Sequence, residues 1–150
     1  MMTLSRAAPA FSYVLDEDLR ILVVDDDPIQ REFASVYIAT PTAEVVTTAS
    51  ARGALEALSE DAFDIMLVDF DMPGMNGLEL IGKLRKDPRY VSLPIIMITG
   101  HDDMLTIDAA FRAGATSFVT KPVNWRLLSY QIKYVMKDRL AAAAARIEAA

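Results

Sequence analysis

Five short apolar runs, each closing on a polar residue and most leading into a helix-patterned segment, constrain what this chain can fold into. The first is RILVVDD, residues 20 to 26, in which Ile21, Leu22, Val23 and Val24 are continuous rather than alternating. A continuous run of that length marks a strand buried on both faces, and strands that alternate with helices imply parallel pairing. The others are EVVTT at 44 to 48, FDIMLVD ending at Asp69, IIMIT opened by Pro94 and ending at Thr99, and SFVT before Lys121. Helix starts and stops are legible between them. Asp27-Pro28 supplies an N-cap and a proline at the first helical position, and Ile29, Phe33, Val36 and Tyr37 follow at helical spacing. Ser50 caps a helix near Ala51 to Ser59, and Leu78, Ile81 and Leu84 mark a third. A fourth runs from about Asp103 to Ala113 with Gly114 to stop it, and Asn124 caps the last. Right-handed crossovers then give a doubly wound α/β domain with helices on both faces of a five-stranded parallel sheet.

The composition agrees with one domain and narrows its partners. In 150 residues, 53% hydrophobic content is enough for a sizeable core. Fifteen basic against 21 acidic residues give a net charge of -6, and no Lys/Arg block appears, which excludes a nucleic-acid footprint. No cysteine is present, so disulfides, thiolate metal sites and sulfur redox chemistry are excluded. The N-terminal stretch MMTLSRAAPAFSYVLDEDLR has no apolar run of signal-peptide length, and no segment reaches the roughly 20 apolar residues of a membrane helix. The expected location is the cytoplasm, without membrane association.

In an open α/β sheet, ligands bind beyond the carboxyl ends of the strands. That rule collects Asp25, Asp26 and Asp27 from strand one, Asp69 from strand three, Thr99 from strand four and Lys121 just after strand five. Two unit charges about 4 Å apart repel by roughly 4 kcal/mol at an effective dielectric of about 20. Three carboxylates on one rim therefore require either protonation or a cation. Hard oxygen ligands without His or Cys favour Mg²⁺, which commonly pairs with phosphate. A lysine and a hydroxyl opposite the acids complete a cradle for a phosphoryl group, with Asp69 as nucleophile or ligand.

Together, VVDDDP, LVDFDMPGMNG, MITGH and FVTKP resemble the receiver domain of two-component response regulators, in the same order and over residues about 20 to 137. The resemblance implies a flavodoxin-like sheet of order 2-1-3-4-5. By the same resemblance Asp69 is the phosphoacceptor, and Asp25 and Asp26 hold Mg²⁺ together with Asp69 and the backbone carbonyl of Asp71. Thr99 turns toward the phosphoryl group, Lys121 pairs with it, and Phe118 is the aromatic switch. The Lys121-Pro122 bond is expected to be cis. Asp71 and His101 occupy the two positions that tune dephosphorylation in the family. The implied partner is a sensor histidine kinase or phosphotransfer protein, and the domain is expected to catalyse only its own phosphorylation and dephosphorylation.

Plainer readings exist for each residue taken singly. Asp27 reads as a helix cap, Thr99 as a strand-end threonine, Lys121 as a surface lysine, Phe118 as core as readily as switch, and His101 as an exposed loop residue. Met66, Met72, Met75, Met97 and Met104 read as packing, and Gly74 and Gly77 as turn residues. Asp69-Phe70-Asp71 is also similar to the Asp-x-Asp of haloacid-dehalogenase-type phosphatases, but here the acid pair precedes that motif and Pro73-Gly74 occupies its loop. A receiver-like binding module independent of phosphorylation is the remaining alternative. Residues 1-18 read as an N-terminal extension, 19-137 as the receiver, and 138-150 as a C-terminal helical extension. From Asn124 to about Ala149 a single helix of about 39 Å is expected, longer than the domain. Its stripe of Leu128, Ile132, Val135, Leu140, Ala144 and Ile147 suggests pairing with a second copy, as does the face near Phe118. KPVNWRLL is similar to receivers that precede cyclic-dinucleotide enzymes.

Overall fold

The computed structural model describes residues 12–149, so the extension expected over 1-18 lies outside the described residues as far as residue 11. Strands β1 (Leu19–Val24), β2 (Ala43–Thr48), β3 (Ile65–Asp69), β4 (Ile95–Thr99) and β5 (Ser117–Thr120) alternate with helices α1 (Pro28–Tyr37), α2 (Ala51–Glu60), α3 (Gly77–Arg85), α4 (Met104–Ala113) and α5 (Trp125–Ala149). All pairings are parallel, in the order β2-β1-β3-β4-β5. This is the doubly wound, flavodoxin-like sheet with a long last helix. The apolar run of β1 stops at Val24, which places Asp25 and Asp26 in the following loop rather than in the strand.

Alternation along each central strand divides the core into two layers. Leu22, Val24, Met66, Val68, Ile95 and Met97 pack with Leu80, Ile81 and Leu84 of α3 and Ala54 and Leu58 of α2. Ile21, Val23, Ile65, Leu67, Ile96 and Ile98 pack with Ala34 of α1 and Leu128, Ile132 and Met136 of α5. Each large aliphatic side chain buried this way contributes about 1.5–3 kcal/mol, which is why β1, β3 and β4 contain almost nothing else.

The helix starts follow their caps. Asp27 accepts from the Ile29 N–H, Ser50 from Gly53, Asp103 from Thr106 and Asn124 from Leu127. Asn76 and Glu79 form a reciprocal capping box at α3. Gly114 ends α4 in the left-handed conformation at φ 115°, where a side chain would also strike Arg85.

Helix α1 departs from the usual use of an apolar stripe. Its inward residue is Ala34, followed by Ile38 at the C-cap, whereas Ile29, Phe33, Val36 and Tyr37 are exposed, Ile29 by 61%. Helical spacing locates the helix correctly but here identifies its outer face. Residues 12–18 lie along the same side as a strap. Leu15 is buried, its carbonyl accepts from Thr40 Oγ1 at 2.7 Å, and Lys133 Nζ donates to the Val14 carbonyl and to Asp16, both at 3.0 Å. Along α5, Leu128, Ile132 and Met136 are buried while Ala144 and Ile147 are exposed; the Leu140 side chain lies outside the described set.

Gly77 opens α3 hard against the end of β3. A Cβ there would lie 2.6 Å from the Asp69 carbonyl oxygen and 3.0 Å from Phe70 Cα. Close approach, rather than turn conformation, is what requires glycine. Gly82, in the same helix, has nothing within 4 Å of a Cβ. Gly77→Ala is expected to lower stability by about 1–3 kcal/mol through overpacking, and Gly82→Ala to raise it by about 0.5–1 kcal/mol through helix propensity. Urea unfolding midpoints of the two variants, moving in opposite directions, check this.

Candidate functional site

Three strand ends and one loop deliver the charged rim. Asp69 is the last residue of β3 and only 2% exposed; Asp25 follows β1 and is also buried, while Asp26 beside it is exposed. Ligand oxygens of Asp25, Asp26 and Asp69 all lie within 4.8 Å of one another. From the other side, Lys121 Nζ approaches Asp69 Oδ1 to 2.6 Å. The Lys121–Pro122 peptide is cis. Asp69 Oδ1 is sealed from solvent, with the Lys121 ammonium against it.

Two backbone devices hold the acid loop. The Asp27 N–H donates to Asp25 Oδ1 at 2.9 Å, and Arg31, from the first turns of α1, donates through Nη1 to the Asp25 carbonyl at 2.7 Å. The side chain of Asp27 is committed to its cap. Arg31 was not legible as a site residue, because an arginine in a helical pattern reads as surface; only the fold brings it back to residue 25. Thr99 is buried at the end of β4, and its Oγ1 accepts from the His101 N–H at 2.9 Å. His101 Nε2 stands 3.3 Å from Asp71 Oδ2. Phe118 is half-buried on β5, edge-on to Phe111 of α4 at 5.8 Å. Met66, Met72 and Met97 are buried, whereas Met104 is exposed.

The electrostatics follow from burial. Desolvation pushes the Asp69 carboxyl up to about 6, with Lys121 opposing and the Asp25 charge adding to the rise. Asp25 is raised for the same reason, offset by the Asp27 N–H and Lys121 and reinforced by Asp26 and Asp27. Burial alone would lower the Lys121 ammonium, but Asp69, Asp25 and Asp71 outweigh it and raise it. The site thus holds more negative charge than its single lysine neutralises. The carboxylate oxygens of Asp25, Asp26 and Asp69, with no nitrogen or sulfur ligand among them, fit a small hard cation such as Mg²⁺.

The chain is similar to known proteins in sequence and in fold. The family model of the response regulator receiver domain matches residues 21–133. A cyclic di-GMP phosphodiesterase of Thermotoga maritima is 34% identical over 123 residues, covering 81% of this chain and 32% of that protein. The heme response regulator HssR of Staphylococcus saprophyticus is 37% identical over 116 residues, covering 77% and 50%. The chain therefore spans about a third to a half of the length of these curated relatives. Among solved structures, the chemotaxis protein CheY4 of Vibrio cholerae superposes with a TM-score of 0.74 at 30% identity, over 78% of this chain and 98% of that one. A CheY-like receiver domain of Methanospirillum hungatei gives 0.76 at 30% identity, over 83% and 98%. Five parallel strands in this order, an acid cluster at their carboxyl ends and a match over residues 21–133 have one meaning: the chain belongs to the receiver domain family of two-component response regulators, a signalling domain rather than an enzyme of the ordinary kind.

Proposed function

We propose that the chain accepts a phosphoryl group on Asp69 from a phosphohistidine of a sensor kinase or phosphotransfer protein. The observation that carries this reading is a buried strand-end carboxylate with Lys121 Nζ at 2.6 Å on one side and Asp25 and Asp26 on the other. An Asp69 oxygen attacks phosphorus in line, the N–P bond breaks, the imidazole leaves and takes a proton, and an acyl phosphate remains. Lys121 is placed to neutralise a phosphoryl oxygen, and the Thr99 hydroxyl to donate to one. Asp25, Asp26, Asp69 and the Asp71 carbonyl would hold Mg²⁺, which when bound supplies charge neutralisation at the transferring group. Water later hydrolyses the acyl phosphate.

The outer face of α1 fits the donor. Ile29, Phe33, Val36 and Tyr37 are exposed on the helix that begins directly after the acid loop, and Trp125 of α5 extends them, its ring 6.4 Å from both Phe33 and Tyr37. An exposed apolar stripe beside the reacting group is a docking surface for a helical partner. The readout lies on the other side, where Phe118 packs on Phe111 and where Met104 and Leu105 are exposed on α4. Added phosphoryl charge of about -1.5 to -2 would bias that surface toward a second copy or an output domain.

Acetyl phosphate with Mg²⁺ is expected to add one phosphoryl mass to the parent and none to Asp69→Asn; an adduct on the variant, or none on either, contradicts the assignment. Phe33→Ala and Tyr37→Ala should each slow transfer from a phosphorylated donor protein by about tenfold, the loss of about 1.4 kcal/mol of docking energy, while leaving acetyl phosphate labelling unchanged. Rapid-quench labelling with the two donors separates these effects.

The raised Asp69 pKa has a consequence for stability without metal. A carboxyl near 6 in the folded state and 3.8 unfolded binds the proton more tightly when folded. Its contribution is fully present below about 3.8 and is lost as pH rises through about 6, by at most about 3 kcal/mol. With chelator present, unfolding free energy should fall between pH 4 and 6, and Asp69→Asn should flatten that slope and stabilise the protein at pH 7. Urea titrations at stepped pH measure it.

A further inference from the structure

The loops that follow β3 and β4 meet through the side chain of His101. His101, two residues beyond Thr99, brings Nε2 to 3.3 Å from Oδ2 of Asp71, two residues beyond Asp69. Its ring stands at 90° to that of Phe70, with centroids 5.3 Å apart, so the imidazole is buttressed on one side by the same loop whose carboxylate it meets. The backbone N–H of His101 donates to Thr99 Oγ1 at 2.9 Å. Two residues further on, Asp103 caps α4 by accepting from the Thr106 N–H at 2.9 Å. The segment from Thr99 to Asp103 is thus tied to β4 at one end, to the first turn of α4 at the other, and through His101 to the β3–α3 loop between.

Turning the Thr99 hydroxyl toward a phosphoryl group takes the acceptor away from the His101 N–H, so the loop must follow or lose that bond. The contact with Asp71 resists its following. We propose that the His101–Asp71 contact is a latch that holds the β4–α4 loop in its unphosphorylated position, making His101 a positioning residue that acts through Thr99 and the α4 N-terminus. This deepens, and rests on, the assignment of Asp69 as phosphoacceptor. With the side chains of His101 and Asp71 49% and 58% exposed, the contact is of the weak class, worth roughly two- to five-fold in an equilibrium constant. A latch of that size biases a two-state loop without locking it.

A double-mutant cycle on the full chain tests this, with His101→Leu, Asp71→Ala and the pair; Asp71→Ala keeps the backbone carbonyl. Amide hydrogen exchange over residues 100–106, without phosphate mimic, reads the loop directly. Beryllofluoride affinity at saturating Mg²⁺ reads the cost of switching. Either single substitution should speed exchange about two- to five-fold, with the double no faster than the faster single. His101→Leu should tighten beryllofluoride binding by about two- to five-fold in the parent and not at all in the Asp71→Ala background. Equal effects of His101→Leu in both backgrounds, or additive exchange rates, overturn the latch, since His101 would then act without Asp71. Failure of the parent to bind beryllofluoride overturns the phosphoacceptor assignment instead, and the exchange rates alone then decide whether the contact holds the loop.

Discussion

The cost of burying the Asp69 carboxylate organises this molecule. β3 is buried along its whole length, which stabilises the sheet, and its last residue is an acid with almost no access to water. A carboxylate in that position is disfavoured unless a cation stands against it, and the nearest is Lys121 across the sheet from β5. The pair is incomplete: one ammonium faces two buried carboxylates, and Asp25 adds like charge. The site is therefore poised for additional positive charge, which the proposed phosphoryl transfer would require. Burial raises the Asp69 carboxyl and so gives up stability at the proposed phosphoacceptor.

The parallel sheet makes that concentration possible, because all five strands end on one rim and every following helix starts there. Many polar residues at the rim are committed to those helix starts. Asp27, Ser50, Asn76, Asp103 and Asn124 each accept from a first-turn N–H and have little left to offer a ligand. The polar residues not used as caps include Asp25, Asp26, Asp69, Thr99 and Lys121. Capping thus sorts structural polar residues from those that converge on Asp69.

How far this was legible in the chain depends on which physical signal each part emits. The central strands were readable because burial on both faces demands an unbroken apolar run, as in Ile21–Val24 and Ile95–Ile98. The helix starts were readable because capping needs particular side chains at one position. The facing of α1 was not: Ile29, Phe33, Val36 and Tyr37 have the same period whether they point into the core or away, and only the filling of the core by α5 shows that Ala34 suffices. Neither the Arg31 bond to the Asp25 carbonyl nor the strap through Leu15 has any periodicity, since both are set by distance in space. Gly77 reads like many loop glycines, yet its reason is a 2.6 Å approach to Asp69 that no local pattern carries.

The helices, rather than the two faces of the sheet, differ in how much they bury, and under the proposed function that bears on how a signal leaves. On the α1 and α5 side, the helices bury Ala34, Leu128, Ile132 and Met136, the strap is pinned by Lys133, and Trp125 stacks on Tyr37. On the α4 side, Ala110 is the buried residue of the helix, and Met104, Leu105 and Phe111 are exposed. An element with few buried contacts moves at lower cost than one locked into a packed layer. Under the proposed phosphotransfer, a change at Asp69 would pass with least resistance through Thr99 and the β4–α4 loop into α4 and the Phe118 contact. Helix α1 likewise buries only Ala34, while α5 is held by Leu128, Ile132 and Met136 before its exposed last turns at Ala144 and Ile147.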